Sequence, residues 1–346
     1  MYSFANDYSE GCAAPILEAL VKHNYEQSVG YGLDDHCKNA AALIRKEIGR
    51  DDLDVHFIPG GTPANILGIV SALKPYEAVI CADSGHINVH ETGSIEATGH
   101  KILSAPGVNG KITPAEIEDF CVNRMEEHTV YPKMVFVSDA TEYGTIYTKK
   151  ELSDIAAMCK KHGLYLYLDG ARIGSALVAK GNDMTLADIA ELTDMFYIGG
   201  TKNGALLGEA MVIRNEELKK GFRYHLKQRG AMLAKGAVMG IAFEELFKDG
   251  LYFRLAKNAN LMAMSLKEIF KRYDIPFFME TTTNQIFPIL PDTLLKKIEE
   301  KYTVTFWEKY DETHSVVRFV CSWATQKEAL IDFYKDFSQM VKENDR

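Results

Sequence analysis

The sequence predicts an α/β fold, in which helices on both faces cover a mainly parallel sheet and a small α+β domain follows. Short apolar or β-branched runs alternate with longer helical patterns over about 150 residues, which is typical of a parallel sheet. After about Gly240 this alternation ends and longer helical patterns follow. We therefore predict an N-terminal arm (1–14), a large domain (15–240) and a small C-terminal domain (241–346).

Six short runs of apolar, β-branched or aromatic residues are the predicted strands of the large domain. They are Val55–Ile58, Ala78–Cys81, Met134–Val137, Leu164–Leu168, Met195–Ile198 and Met211–Ile213. The stretches between them predict helices. Thr62–Leu73 begins after two glycines, and Thr113–Glu126 and Thr148–His162 each begin with a capping box, in which Glu follows Thr three residues later.

The C-terminal part of the chain contains four predicted helices and two predicted strands. The helices are Ala242–Phe247, Leu251–Tyr273, Asp292–Tyr302 and Gln326–Glu343, and the strands are Gln285–Leu290 and Val316–Cys321. This mixture is typical of a small α+β domain placed after a larger one.

The composition is that of a globular protein, with 47% apolar and 25% charged residues. A net charge of −9 disfavours nucleic acid and anionic membranes as partners. We expect a cytoplasmic protein, because no run approaches the roughly 18 apolar residues of a membrane span and the N-terminus lacks a signal-peptide pattern. The six cysteines form no C-x-x-C pair and none lies near histidines at metal-site spacing, so we expect reduced thiols and no metal site.

Polar or glycine-rich segments follow five of the predicted strands. They are Pro59–Asn65, Ala82–His86, Ser138–Glu142, Asp169–Arg172 and Gly199–Gly204. The carboxyl ends of parallel strands meet at one edge of a sheet, where α/β proteins bind their ligands. We therefore expect these segments to form one pocket.

Two of these segments suggest binding of an anion or a charged ring. The Gly60-Gly61-Thr62 turn could hold a phosphate at a helix N-terminus, or it could be an ordinary tight turn. Asp169 could pair with a cationic ring nitrogen, or it could cap the next helix. Arg172 suits two-point binding of a carboxylate, and its alternative is an ion pair with Asp169.

Lys202 lies between glycines, and a lysine in such a place is usually a solvated loop residue. A lysine amine also forms Schiff bases, and a phosphate cup and a carboxylate for the ring nitrogen are the other requirements of pyridoxal 5'-phosphate (PLP). We therefore predict that Lys202 carries PLP. His86 could stack on the ring and transfer protons, or be structural, and Glu91 and Glu142 could be acid/base groups or hold a neighbour in place.

Taken in order, these motifs resemble the threonine aldolase group of fold-type-I PLP enzymes within the β-eliminating lyases. The similarity is greatest to low-specificity L-threonine aldolases and phenylserine aldolases, and it spans nearly the whole chain. The matching pieces are Phe4–Asp7, Tyr31–Asp34, Gly61–Asn65, His86–Asn88 with Glu91, Ala140–Tyr147, Asp169–Arg172, Gly199–Gly204 and Arg318–Ala324.

The resemblance implies a role for each matching side chain. The implied cofactor contacts are Gly61, Thr62, His86, Asp169, Arg172, Thr201 and Lys202, and the implied substrate contacts are Asn6, Tyr31, Arg172 and Arg318. Basic residues between 227 and 235 would join Tyr31 in reaching the site from a neighbouring subunit, because the family assembles as tetramers built from dimers; these are Lys227, Arg229 and Lys235. Two departures are Asn6-Asp7 in place of the usual Ser-Asp, and Glu142 where one branch of the family has His.

The implied reaction is that of an aldehyde-lyase: retro-aldol cleavage of L-threonine or L-allo-threonine to glycine and acetaldehyde. Arg172 and Arg318 would hold the carboxylate. His86 is the first candidate for the base that removes the β-hydroxyl proton, followed by Glu142 or Glu91. The alternatives are β-elimination, transamination or racemisation on the same scaffold, and a non-catalytic PLP-binding protein.

Overall fold

The structure, a computed structural model, describes residues 1–124 and 126–344. Its strands are β1 (Tyr2–Ser3), β2 (Asp54–Ile58), β3 (Glu77–Ala82), β4 (Ile102–Ala105), β5 (Tyr131–Ser138), β6 (Tyr165–Asp169), β7 (Met195–Gly199), β8 (Glu209–Ile213), β9 (Phe277–Met279), β10 (Gln285–Pro291), β11 (Tyr302–Thr303), β12 (Thr305–Lys309) and β13 (His314–Val320). Its helices are α1 (Ala14–Lys22), α2 (Asp35–Ile48), α3 (Gly61–Ala72), α4 (His86–Val89), α5 (Pro114–Val122), α6 (Lys149–His162), α7 (Ile173–Leu177), α8 (Leu186–Leu192), α9 (Glu216–Lys219), α10 (Phe222–Gln228), α11 (Ala237–Lys248), α12 (Leu251–Lys271), α13 (Asp292–Glu299) and α14 (Lys327–Asn344), with a short 3₁₀ turn at Glu96–Thr98.

The large sheet has the strand order β2-β8-β7-β6-β5-β3-β4 and contains all six predicted strands. Strand β8 runs against the other strands, because it pairs antiparallel with both β2 and β7. The remaining neighbours, from β7 across to β4, are parallel. The predicted α/β class with a mainly parallel sheet is therefore confirmed, and β4 is an edge strand that the sequence pattern did not indicate.

Alternating strand residues supply two separate cores, one on each face of this sheet. Leu166, Leu168 and Phe196 pack with α11 on one face. Tyr167 and Tyr197 pack with α3 and α10 on the other. Helices on both faces follow from this pattern, since every central strand buries both of its sides.

The predicted capping boxes start helices where they were expected. Thr113 accepts a hydrogen bond from the Glu116 amide at the start of α5, and Thr148 does the same with Glu151 at the start of α6. Gly163 ends α6 in the left-handed conformation. Helix α5 ends at Val122, before the predicted end at Glu126, and Met125 of that predicted range lies outside the described residues.

The C-terminal part forms an antiparallel sheet with the order β12-β13-β10-β9, which packs against α12 and α14. Phe270, Phe319 and Phe333 centre its core, and Phe4 of the N-terminal arm is buried among them. Helix α11 crosses the predicted domain boundary at residue 240, and its Phe243 packs in the core of the large sheet. The proposed division at 240–241 stays a prediction.

Among the described helices, none has the length and apolar character needed to cross a membrane.

Candidate active site

One edge of the large sheet collects the segments that follow β2, β3, β5, β6 and β7. A cavity of about 240 Å³ lies there. A second chamber of about 270 Å³ adjoins it and shares Tyr8, His86, Glu142, Arg172 and Lys202 with it. Of the predicted site residues, the first cavity brings together Gly61, Thr62, His86, Glu142, Asp169, Arg172, Thr201 and Lys202, and the second adds Arg318.

Lys202 lies in the turn after β7, where its amine is surrounded by charged groups. Burial lowers its pKa, and the nearby positive charge of Arg172 lowers it further. The carboxylates of Asp7, Asp169 and Glu209 act in the opposite direction but do not restore the ordinary value. The amine of Lys202 therefore becomes neutral and nucleophilic at a lower pH than the amine of a surface lysine does.

Asp169 ends β6 and is almost fully buried. Its Oδ1 accepts hydrogen bonds from the hydroxyl of Tyr197 and from the amide of Ala171, and its Oδ2 accepts one from Asn65 at 3.0 Å. The next helix, α7, has Arg172 as its N-cap, so the helix-capping alternative for Asp169 is wrong. A carboxylate fixed by three donors at a cavity wall suits a pairing with a cationic ring.

The glycine turn after β2 leads directly into α3. Gly60 provides no side-chain cap for this helix, so the amide groups of its first turn are not satisfied by a capping side chain. A Cβ atom at Gly61 would lie only 3.2 Å from the Tyr197 hydroxyl, so a larger residue would press on the donor that holds Asp169. Because these amide groups are uncapped, the N-terminus of α3 could hold a phosphate group at this wall of the cavity, together with Gly61 and Thr62.

His86 and Glu91 are linked to Asp169 through one buried side chain. The Nδ1 atom of His86 lies 2.8 Å from Glu91 Oε1, and Asn65 Nδ2 donates both to that oxygen (2.7 Å) and to Asp169. Ser94 donates to the other Glu91 oxygen. Glu91 is therefore placed behind His86, whose Nε2 has no hydrogen-bond partner in the part of the chain that the structure describes.

Glu142 follows β5 and lines both chambers. Its Oε1 accepts hydrogen bonds from the amide of His86 and the hydroxyl of Ser138, both at 2.9 Å. Its Oε2 is buried and has no partner among the described residues. Burial and the nearby charge of Asp169 raise the pKa of Glu142, so this carboxyl can hold a proton at a pH where an exposed glutamate is ionised.

Two guanidinium groups face the second chamber. Arg172 binds Asp7 through two hydrogen bonds, so the predicted alternative, an ion pair with Asp169, is wrong. Arg318 donates to the Ala5 carbonyl at 3.4 Å, and its Nε is buried with no partner in the described ranges. Burial and the charge of Arg172 lower the pKa of Arg318 to about 10. Two cations that repel each other at one chamber form a site for an anion such as a carboxylate.

Several residues of this site were not assigned roles from the sequence. Asp7, Asn65 and Tyr197 hold other side chains in place, and His90 lines the second chamber. Glu209 accepts a hydrogen bond from the Gly200 amide at 2.8 Å, and burial raises its pKa to about 7. No local sequence pattern marks Glu209, because its place beside Gly199 follows only from the antiparallel pairing of β8 with β7.

None of the remaining predicted contacts lines either chamber. The side chain of Asn6 accepts hydrogen bonds from the Tyr8 amide and the Ser9 hydroxyl. Tyr31 is exposed, with the Lys227 ammonium 4.7 Å from its ring centre. Like Lys227, Arg229 and Lys235 are exposed. The roles of these residues stay predictions.

Comparison with known proteins identifies the family. Residues 5–292 match the family model described as beta-eliminating lyase. The chain belongs to this family. A low-specificity L-threonine aldolase from a Pseudomonas species is 33% identical over 98% of this chain and 97% of its own length. The structure of a threonine aldolase from Leishmania major superposes with a TM-score of 0.97 at 47% identity, over 99% of this chain and all of that one.

The fold is also shared with the aspartate aminotransferase of Thermus thermophilus. A double mutant of it superposes with a TM-score of 0.72 over 98% of this chain and 91% of its own, at 14% identity. That identity is too low to indicate an activity, but the superposition shows that the two proteins share a fold. The predicted fold-type-I architecture is thus confirmed for this family member.

Proposed function

We propose that this enzyme is a PLP-dependent aldehyde-lyase that cleaves L-threonine, L-allo-threonine and related β-hydroxy-α-amino acids to glycine and an aldehyde. The observation that carries the proposal is that Lys202, the buried Asp169 and two guanidinium groups meet in two adjoining chambers. An amine, a ring-nitrogen carboxylate and a carboxylate site are what an amino-acid lyase of this kind needs. The relatives named low-specificity L-threonine aldolase support the choice of substrate.

The first chamber fits PLP in its residue types. The uncapped first turn of α3, with Gly61 and Thr62, would hold the phosphate, and Asp169 would hold the ring nitrogen in its protonated form. Lys202 would bind the aldehyde carbon covalently through Nζ. When bound, the cofactor withdraws electrons from the bonds at the amino acid Cα, so that the Cα–Cβ bond can break.

The second chamber would hold the amino acid and supply the side chains that accept and donate its protons. Arg318 would bind the α-carboxylate together with Nη1 of Arg172, since Nε and Nη2 of Arg172 already bond to Asp7. These contacts would orient the Cα substituents. His86 Nε2 is the first candidate to take the β-hydroxyl proton, because Nδ1 is engaged by Glu91. Glu142 is the second, through its unpartnered Oε2, and Glu91 would act by positioning His86.

We also propose a cytoplasmic homo-oligomer, with a dimer of dimers as its expected form. Tyr31, Lys227, Arg229 and Lys235 would complete the site of a neighbouring subunit. Their exposure on one chain supports this arrangement, since none of them lines its own chambers. The test is to mix a Lys202→Ala chain with an Arg229→Ala chain. If Arg229 acts in the neighbouring subunit, activity should reappear in mixed oligomers, because a site with an intact Lys202 then receives an intact Arg229 from the other chain. If Arg229 acts within its own chain, activity should stay absent.

The central experiment is an aldehyde-release assay over a panel of β-hydroxy amino acids with added PLP. We expect acetaldehyde and glycine from threonine, with Lys202→Ala inactive and without the cofactor's visible absorbance, while the exposed-lysine control Lys220→Ala stays active. Pyruvate from serine or cysteine without acetaldehyde from threonine would instead indicate β-elimination. Amino transfer to an oxo acid, or loss of optical activity alone, would indicate transamination or racemisation. A colourless protein that binds no PLP would contradict the whole assignment.

A further inference from the structure

Two histidines and a glutamate lie together in the segment that connects α1 with α2. His23 Nδ1 is 2.5 Å from one carboxylate oxygen of Glu26, and His36 Nε2 is 3.1 Å from the other. The ligand-type atoms of all three side chains lie within 4.8 Å of one another. None of the three lines the chambers at the sheet edge.

A second carboxylate fixes the orientation of His36. Its Nδ1 lies 2.7 Å from Oε2 of Glu244 on α11, and the other Glu244 oxygen accepts a hydrogen bond from Asn39. When Nδ1–H donates to Glu244, Nε2 carries a free lone pair that points toward Glu26. A carboxylate behind a histidine is the arrangement by which proteins orient and strengthen a metal-binding imidazole.

We propose that His23, Glu26 and His36 bind a divalent cation of the zinc class, with Glu244 as the positioning residue behind His36. Two imidazole nitrogens and one carboxylate oxygen suit Zn²⁺ and its borderline neighbours, whereas Mg²⁺ and Ca²⁺ require oxygen ligands. Zinc with three protein ligands keeps a fourth, open position for water. The negative charges of Glu26 and Glu244 together match the charge of the ion.

The geometry requires only a local adjustment to accept the ion. Zinc bonds of about 2.0–2.1 Å in a tetrahedron place neighbouring ligand atoms roughly 3.3 Å apart. The ligand atoms here are already within 4.8 Å of one another, and the two imidazoles are mostly buried, with 20% and 15% of their side chains exposed. The ion would replace the two hydrogen bonds that Glu26 makes to the histidines.

The role we assign to this site is to link helices, with water as the fourth ligand of the ion. His23 directly follows α1, His36 is in the first turn of α2, and Glu244 belongs to α11, so a bound ion would tie three helices together. It would also hold the intervening segment, which contains Tyr31 in a left-handed conformation with φ of 63°. The sequence pattern indicates no metal site, because the two histidines approach each other only when α1 and α2 have both packed against α11.

The test uses the PLP-loaded enzyme after treatment with a chelator, titrated with Zn²⁺ alone by calorimetry. We expect one tight site per chain, a thermal midpoint that rises with Zn²⁺ concentration, and visible bands of tetrahedral cobalt when Co²⁺ replaces zinc. His23→Gln and Glu26→Gln should abolish the cobalt bands, and Glu244→Gln should weaken zinc binding about 10- to 100-fold.

His314→Gln is the matched control, because His314 is an exposed histidine paired with a carboxylate, Asp311, and should leave zinc binding unchanged. His23 is the preferred variant because it follows α1 and is more exposed than His36. Zinc binding that is undiminished in both His23→Gln and Glu26→Gln, or the lack of any tight site in the unmodified enzyme, would overturn the proposal. Turnover is not the readout, so failure here is distinguishable from failure of the aldolase assignment.

Discussion

Arg172, which lines both chambers, forms a two-point ion pair with the buried Asp7. Arg172 Nε donates to Oδ2 at 2.8 Å and Nη2 donates to Oδ1 at 3.1 Å, across 165 residues of sequence. Asn284 adds a third hydrogen bond to Asp7 at 2.9 Å. The N-terminal arm thereby fixes the direction of the guanidinium that we propose binds the substrate carboxylate.

Replacing Asp7 by Asn should weaken both folding and substrate binding. The shape is kept, but a buried Arg172 loses its countercharge, which costs about 3–5 kcal/mol when one partner of a buried pair is removed. We expect a lower thermal midpoint and a higher KM for threonine, measured by calorimetry and by the aldehyde assay. Asp35→Asn, at an exposed carboxylate, should change neither, and an unaltered KM in Asp7→Asn would show that the pair does not orient Arg172.

The same pair predicts a pH dependence of stability. Burial by itself would raise the pKa of Asp7, but the charges of Arg172 and Lys202 outweigh it and hold the pKa below the ordinary value of 3.8. A depressed folded-state pKa stabilises the protein above pH 3.8, and this contribution is lost as the pH falls through the folded-state value. The difference in unfolding free energy between the native protein and Asp7→Asn should therefore shrink at acidic pH.

Lys202 should react with PLP at a lower pH than a surface lysine does. Burial and the charge of Arg172 lower its pKa below the ordinary 10.5, so its neutral form is populated earlier as the pH rises. The rate at which PLP re-forms the visible chromophore with the cofactor-free enzyme should have a midpoint below 10.5. Asp7→Asn should move that midpoint lower still, since the Asp7 charge raises the pKa of Lys202; an unshifted midpoint would contradict the arrangement.

Glu142→Gln should reduce kcat more than it changes KM. The buried Glu142 carboxyl has a raised pKa, caused first by burial and then by Asp169, so it can give and take a proton near the substrate. We expect one limb of the pH profile of kcat to disappear in the variant. His86→Asn should also lower kcat if His86 is the base, and equal pH profiles in Glu142→Gln and the native enzyme would exclude Glu142 from proton transfer.

Glu142→Gln should also change how stability depends on pH. Because the folded-state pKa of Glu142 lies above its ordinary value of 4.5, the native protein loses stability as the pH rises from 4.5 through the folded-state value. Glutamine is neutral throughout, so the stability of Glu142→Gln relative to the native protein should rise over this pH range. Thermal midpoints measured across pH provide the check.

Arg318→Gln should weaken binding of the amino acid while leaving the cofactor in place. Arg318 lines the second chamber but not the first, and a lost charged hydrogen bond costs about 1.5–3 kcal/mol, or roughly 10- to 100-fold in affinity. The cofactor absorbance should be unchanged and KM raised. Arg272→Gln, at an exposed arginine, is the control, and loss of the chromophore in Arg318→Gln would place this residue at the cofactor instead.

Much of the framework was predictable because its signals are local. A capping box needs only Thr148 and Glu151, and an apolar run such as Leu164–Leu168 needs only its own residues to be recognised as a strand. The rule that strand ends share one edge then placed His86, Asp169 and Lys202 in one pocket. The edge strand β4 was missed because its four residues carry no distinctive pattern.

What the sequence by itself determined is the set of chemical groups: an amine, a fixed carboxylate, a glycine turn and two arginines, each positioned by its own short segment. Only the tertiary structure decided their partners. Arg172 pairs with Asp7 rather than the neighbouring Asp169, Glu209 reaches the site because β8 is antiparallel, and His23 meets His36 through helix packing. The physical reason is that charge pairing depends on distance in space, and contacts between distant segments leave no periodic trace in the sequence.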